Sequence, residues 1–66
     1  MKKDRLKGKM KERRLSYFKC AKKLDMSVTT LSNKINGNSK FYLDEVERLS
    51  ILLNLSIDEK VDIFLN

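Results

Sequence analysis

Hydrophobic residues recur along most of the chain at the three- and four-residue spacing of a helix, and short polar segments separate the runs. The clearest pattern lies within residues 16–37, where it predicts two short helices joined by a turn at residues 25–27. Ser16 and Ser27 precede the two helices and can cap them by accepting a backbone N–H. Gly37 follows the second helix and suits its left-handed C-terminus. The pattern therefore predicts a helix-turn-helix unit at about residues 16–37.

The two predicted helices each have an apolar side and a polar side. The apolar positions are Cys20, Ala21 and Leu24 in the first helix and Leu31 and Ile35 in the second. The outward positions of the second helix are Val28, Thr29, Ser32, Asn33 and Lys34. None of these is acidic, and such a face can enter the ~12 Å-wide major groove of DNA and meet base edges. The same spacing also fits two amphipathic helices of an ordinary bundle, so the pattern alone leaves both interpretations open.

A first helix is predicted before this unit, from Asp4 as its N-cap to about Arg13. Leu6 and Met10 give it a buried side at i, i+4. Gly8 lies inside this helix and costs about 1 kcal/mol relative to Ala. A close helix crossing would explain Gly8, and simple tolerance would explain it equally well.

Two more helices are predicted after the unit. Phe41 and Leu43 anchor the chain before a helix that runs from about Leu43 to Asn54. The buried side of this helix consists of Val46, Leu49, Leu52 and Leu53, and its outer side of Asp44, Glu45, Glu47 and Arg48. The last helix runs from about Ile57 to Leu65 behind a capping box formed by Ser56 and Glu59, and its predicted buried residues are Ile57, Val61 and Phe64. The chain has no Pro and no β-pattern, so we expect one all-α domain of five helices over residues 1–66.

Charge is unevenly distributed along the chain. Residues 1–40 hold 13 Lys and Arg against three carboxylates, which gives +10, and residues 41–66 hold two against six, which gives −4, in agreement with the total of +6. A basic block that coincides with a helix pair is typical of a nucleic-acid-binding protein. Charge runs are also common on ordinary solvated faces. The polarity of the chain, basic at one end and acidic at the other, favours the binding interpretation.

Composition excludes several other classes. With no His and a single Cys, the chain cannot assemble a zinc site of the usual ligands or a His-based nucleophile, so we expect neither an enzyme nor a metal or other cofactor. One Cys permits no intrachain disulfide, and Cys20 is expected to be a small buried apolar residue. No apolar run approaches ~18 residues, and the first residues lack a signal-peptide core. We expect a cytoplasmic protein with no membrane and no small-molecule partner.

With these residues in place, the chain resembles the Cro and C1 repressor type of helix-turn-helix domain found in phages and mobile elements of bacteria. The resemblance runs from about Leu6 to Phe64. Its core is the pattern A-x-x-L-x-M-S-x-x-x-L-S-x-x-I-N-G from Ala21 to Gly37, and the segment Ser39 to Val46 resembles the loop and fourth helix of small phage proteins in this group. The resemblance implies a compact, lambda-repressor-like fold and a DNA-binding transcriptional regulator of bacteria, located at the nucleoid when bound.

The resemblance also implies roles for individual residues. The recognition helix would be about residues 28–36, and its base-reading residues would be Val28, Thr29, Ser32 and Asn33. The residues positioned on phosphates would be Tyr17, Lys34, Asn36, Asn38 and Lys40, with a further contribution from the basic first helix. Two departures concern Asp25, where the family usually has Gly in a left-handed turn position, and Tyr17, where it often has a phosphate-binding Gln.

Partners follow from the same resemblance. Proteins of this type bind two half-sites roughly 34 Å apart as dimers, so we expect an inverted-repeat operator in double-stranded DNA and a homodimer formed through the carboxyl-terminal half. The candidate dimer residues are Ile57, Ile63, Phe64 and Leu65. An alternative is a small helical protein-interaction module, an antirepressor or adaptor, that would use Phe18 and the acidic tail as contacts without specific DNA binding. Phe18 falls where a polar surface residue is expected, and its role stays open.

Overall fold

The computed structural model describes residues 1–65, which fold as five helices with no strand among them. The helices are α1 Lys3–Glu12, α2 Tyr17–Lys23, α3 Val28–Ile35, α4 Leu43–Leu52 and α5 Ile57–Phe64. The predicted all-α fold of five helices is confirmed. None of these helices combines the length and the hydrophobicity that crossing a membrane requires.

All five helices contribute to a single apolar core. Its buried residues are Leu6, Met10, Cys20, Ala21, Leu24, Leu31, Ile35, Leu49, Leu53 and Ile63. Partly buried side chains such as Leu15, Tyr17 and Phe41 pack around it. Within this arrangement α2 packs against α3 and α1 against α5. The helix-turn-helix unit therefore shares one core with the other three helices.

Serine residues start three of the helices, as the sequence predicts. The hydroxyl of Ser16 accepts the N–H of Lys19 at 3.1 Å, and that of Ser27 accepts the N–H of Thr30 at 3.0 Å. Ser56 and Glu59 form the predicted capping box, with both bonds present. The predicted Asp4 cap is wrong. Helix α1 begins one residue earlier, at Lys3, and Asp4 lies in the first turn, where the helix dipole still favours a carboxylate.

Four helix ends share one closing geometry. At each of these ends, the N–H of the second residue past the C-cap donates to the carbonyl five residues earlier, at 2.8–3.0 Å. The donor and acceptor residues are Leu15 and Met10, Met26 and Ala21, Asn38 and Asn33, and Leu55 and Ser50. The residue just before each donor has a left-handed backbone, with φ of 57° at Arg14, 57° at Asp25, 53° at Asn54 and 85° at Gly37. These are Schellman motifs. The left-handed position of Asp25 is confirmed, and those of Arg14 and Asn54 were not predicted.

The buried side of α5 differs from the prediction. Ile63 is 1% exposed and belongs to the core, whereas Ile57 is 76% and Val61 41% exposed. Of the predicted stripe only Phe64 packs inward, edge-on to Phe41 with ring centroids 5.7 Å apart. The flanks of the inward side are charged and pair with side chains of α4, of α1 and of the N-cap residue of α1. The pairs are Lys9–Glu59, Lys2–Asp62, Arg5–Asp62 and Lys60–Glu47.

Two smaller expectations are also corrected, and the open question of Gly8 is decided. Leu43 does not anchor the chain, because its side chain is 76% exposed at the start of α4, and Phe41 alone packs on the core. Glu45 is not on the outer side of α4; its side chain is turned toward α3 and is 14% exposed. Gly8 is exposed and a Cβ there would meet no atom within 4 Å, so no helix crosses closely and Gly8 is simply tolerated.

Candidate nucleic-acid interface

Helix α3 is held at both ends and along its inner side by short-range interactions. The Ser27 hydroxyl receives the Thr30 N–H and itself donates to the Thr30 hydroxyl at 2.9 Å. Leu31 and Ile35 are fully buried in the core, and Gly37 closes the helix. The outer side of α3 is consequently presented on a fixed support.

The four predicted base-reading residues come together on this outer side. Val28 is 40% exposed, and Thr29 and Asn33 are also exposed. Ser32 is half-buried between them, and its hydroxyl oxygen accepts a hydrogen bond from the Asn36 amide at 3.3 Å. No acidic side chain lies on α3. The outer side of the helix thus offers an amide, two hydroxyls and the isopropyl group of Val28 to a ligand.

The predicted phosphate-contacting residues are placed around this helix. Asn38 and Lys40 are exposed on the loop of residues 36–42, which leads from α3 to α4, and Asn36 is exposed at its start. Tyr17 opens α2 and is half-buried, with its ring against the core. Four of the five predicted residues therefore reach the surface, at either side of the helix-turn-helix unit.

The outward position predicted for Lys34 is wrong. Lys34 is 7% exposed, and its ammonium donates to Oε1 of Glu45 and to the backbone carbonyl of Lys40, both at 2.9 Å. The same ammonium lies 4.6 Å from the centroid of the Tyr42 ring. These contacts direct the Lys34 side chain away from the outer side of α3 and toward α4. We therefore remove Lys34 from the phosphate-contacting set.

Glu45 completes this buried contact from α4. Its Oε1 also accepts the backbone N–H of Tyr42 at 2.9 Å, so a single oxygen joins α3 to the start of α4. Burial raises the pKa of Glu45, but the bonds from Tyr42 and Lys34 outweigh it and hold the pKa below its ordinary value. Glu45 is therefore ionised at neutral pH.

The cations fall into three groups according to what they bond. Those that face the carboxyl-terminal half are paired with carboxylates, among them Lys2, Arg5 and Lys9 of the first segment. Arg13 and Arg48 instead donate to the helix-terminal carbonyls of Leu53 and Lys23. Within residues 1–65, the cations that bond neither a carboxylate nor a carbonyl are Lys3, Lys7, Lys11, Arg14, Lys19, Lys22, Lys23 and Lys40. All of these lie in the basic block, and only part of the α1 charge is available to an anion.

Phe18 lies closer to the outer side of α3 than the sequence suggests. It is 65% exposed, and it lines a shallow concavity together with Met26 and Val28 at the start of α3. The helical pattern shows only that Phe18 is outward. That it neighbours a predicted base-reading residue depends on how α2 crosses α3, which spacing along the sequence does not encode.

Comparison with known protein families adds a second line of support to this geometry. Residues 5–62 match the model of the family described as Cro/C1-type HTH DNA-binding domain. The match covers all of α1 beyond its first turn, the helix-turn-helix unit, α4 and most of α5. No curated protein and no solved structure matches the chain.

Proposed function

The chain belongs to the Cro/C1-type helix-turn-helix DNA-binding domain family, and on that basis we propose that it is a sequence-specific regulator of transcription that inserts α3 into the major groove of double-stranded DNA. The observation that carries the proposal is the outer side of α3. Val28, Thr29 and Asn33 are exposed there on a helix without a carboxylate. A major groove is the anionic, hydrogen-bonding surface that suits such a helix.

Base readout would rest on the chemistry of the exposed groups. The Asn33 amide can bond to N6 and N7 of an adenine, and Val28 or Thr29 can pack on a thymine methyl group. The Ser32 hydroxyl can bond to either kind of base edge. Affinity without sequence information would come from Tyr17, Asn36, Asn38 and Lys40 on phosphates.

We propose further that the protein binds an inverted repeat as a homodimer through α5. The support is that α5 turns an apolar stripe to solvent: Ile57 is 76%, Val61 41% and Leu65 70% exposed. Ile63 leaves the predicted set because it is buried in the core. Domains of this size bury a modest share of their surface alone, and an apolar stripe on the acidic half can meet its twin while the basic half holds DNA.

The adaptor or antirepressor interpretation keeps one supporting observation. Phe18 is 65% exposed, and a large exposed aromatic residue is typical of protein–protein contacts. In the DNA-binding interpretation the same ring lies beside Val28, where it would border the groove. The two interpretations therefore differ in what Phe18 touches.

Affinity for a random duplex, measured by fluorescence anisotropy over a range of salt concentrations, tests the proposal against this alternative. A DNA-binding protein loses affinity steeply as salt rises, with a slope of about −0.9 for each phosphate neutralised. We expect that dependence here. A protein that does not bind the duplex even at low salt would be an adaptor, and the proposed function would fall.

A further inference from the structure

The buried pair of Lys34 and Glu45 connects three parts of the domain. Lys34 belongs to α3, Glu45 to α4, and the ammonium of Lys34 also holds the carbonyl of Lys40 in the loop between them. The backbone N–H of Tyr42 at the end of the loop bonds to the same carboxylate oxygen. One ion pair therefore fixes both the middle and the end of the loop of residues 36–42 against the recognition helix.

The loop carries two residues for which we propose phosphate contacts. Asn38 and Lys40 are exposed, but the backbone of Lys40 is fixed by the Lys34 ammonium 2.9 Å away. The start of the loop is fixed as well, by the Asn38 N–H bond to the Asn33 carbonyl at 2.8 Å. The loop is thus anchored at two places. The first anchor is a backbone–backbone bond, and in the second the side chains of Lys34 and Glu45 bond to the loop backbone.

We infer that Lys34 and Glu45 are positioning residues for DNA binding: they hold the loop in the position from which Asn38 and Lys40 reach the phosphates. Lys34 itself touches no DNA. This inference rests on the proposed function of α3 and its loop. It replaces a direct electrostatic role for Lys34 with a geometric one. Phosphate contacts fix the register of a protein on the duplex, so a displaced loop weakens binding to every sequence and misaligns α3 on its operator.

The two roles predict opposite results for Glu45. Removing a carboxylate from a DNA-binding protein raises its affinity if only charge matters. If Glu45 positions the loop, Glu45→Leu weakens binding although the net charge becomes more positive. Glu47→Leu is the matched control, because Glu47 lies on the same helix with its side chain 51% exposed and pairs with Lys60 rather than with the loop. We expect Glu47→Leu to bind as tightly as the wild type or more tightly.

A double variant that leaves the net charge unchanged separates loss of binding from loss of folding. Leaving one member of a buried pair unpaired is strongly destabilising, whereas replacing both members with apolar residues is often neutral or stabilising. Lys34→Met with Glu45→Leu keeps the net charge at its wild-type value and removes both anchoring bonds. Glu47→Leu with Lys60→Met is its control, since it removes an exposed ion pair of the same helix away from the loop.

Duplex affinity by anisotropy and amide hydrogen exchange of the loop should be measured on both double variants and the wild type. We expect the Lys34→Met, Glu45→Leu protein to melt near the wild-type temperature, to lose protection at the Tyr42 N–H, and to bind about tenfold more weakly. The control should match the wild type. Lost protection with unchanged affinity would overturn the positioning role, and unchanged protection would overturn the anchor itself. If the wild type binds no duplex, the proposed function fails, and the exchange data still decide whether the anchor exists.

Discussion

At the scale of single residues, three side chains occupy left-handed backbone positions where glycine is the usual residue. Arg14, Asp25 and Asn54 each follow the C-cap of a helix with φ near 55°, and each precedes an apolar residue that returns to the core. A left-handed conformation costs L-residues roughly 1–2 kcal/mol, less for Asn and Asp. The domain tolerates these costs because the following Leu15, Met26 and Leu55 are packed and hydrogen-bonded.

Asp25→Gly should therefore stabilise the domain. Relief of the left-handed strain exceeds the extra backbone entropy that Gly loses on folding, so we expect a gain of about 0.5 kcal/mol and a melting temperature about 3 °C higher. Thermal unfolding followed by circular dichroism measures this. Gly37→Ala is the control with the opposite sign, because Gly37 has φ of 85° and no neighbour that a Cβ would touch. A lower melting temperature for Asp25→Gly would mean that the turn is not built as described.

Short-range signals at this scale could be predicted from the sequence, and long-range ones could not. Each serine cap depends on a hydroxyl and a backbone N–H three residues apart, so the sequence is sufficient to predict it. Lys34 differs because its partner Glu45 lies eleven residues further along the chain. The helical pattern predicts an outward Lys34, and the inward turn of its side chain depends on where α4 places a carboxylate.

At the scale of elements, α1 and α5 are joined by ion pairs as well as by the apolar core that Leu6, Met10 and Ile63 share. Lys9 pairs with Glu59, and Asp62 pairs with Lys2 and Arg5 at 2.7 and 2.9 Å. The hydrogen bond from Lys9 and the Ser56 backbone N–H lower the pKa of Glu59 to about 2, and the same contact with Glu59 raises the pKa of Lys9. Ile63 is the one residue of α5 that is fully buried.

Docking of α5 should consequently depend on pH. Because the pKa of Glu59 falls from 4.5 in the unfolded chain to about 2 in the folded one, its contribution to stability is complete above pH 4.5 and disappears as the pH falls toward 2. Glu59→Gln should lower the melting temperature most at neutral pH and progressively less below pH 4.5 in a pH series of thermal melts. Asp58→Asn, in the same first turn of α5, is the control. A constant difference between wild type and Glu59→Gln at all pH values would contradict the assignment.

The same element shows where hydrophobic pattern misleads. Ile57, Val61 and Phe64 form a regular stripe, and the sequence therefore predicts them as buried. The structure turns Ile57 and Val61 outward, and Glu59 and Lys60 pair with residues of α1 and α4. A stripe on a terminal helix can serve the core or an interface, and spacing does not distinguish the two. The number, order and approximate limits of the helices, by contrast, were all predicted.

At the scale of the whole molecule, the basic and acidic halves of the sequence do not stay separate in the fold. The acidic half neutralises Lys2, Arg5 and Lys9 of the basic half, so α1 offers fewer cations than its composition implies. The cations that remain unpaired include Lys40 in the loop that follows α3. Binding to DNA should therefore depend on particular cations rather than on net charge.

Lys40→Ala should flatten the dependence of affinity on salt by up to about one unit of slope, because one phosphate contact is lost. Lys60→Ala is the matched control: it removes the same charge from the acidic half, where Lys60 pairs with Glu47 at 2.6 Å. Titrations of a duplex at several salt concentrations measure both slopes. Equal slopes for the two variants would remove Lys40 from the proposed interface.

Assembly belongs to the same scale. If the outward stripe of α5 joins two copies, Ile57→Ser should shift a monomer–dimer equilibrium toward monomer in sedimentation velocity. Phe18→Ser is the control, since Phe18 is also an exposed apolar residue, at 65%, but lies beside Met26 and Val28 rather than beside α5. A wild-type protein that stays monomeric at high concentration, with and without DNA, would count against the dimer.

Selection of binding sites from a random duplex library at near-physiological salt decides whether α3 reads a DNA sequence. A dimeric regulator that reads bases through Val28, Thr29, Ser32 and Asn33 should enrich an inverted repeat with half-sites about ten base pairs apart, and Asn33→Ala should lose the preference at one position of each half-site. No enrichment in the wild type, with only weak and salt-sensitive binding, would contradict sequence-specific recognition by α3.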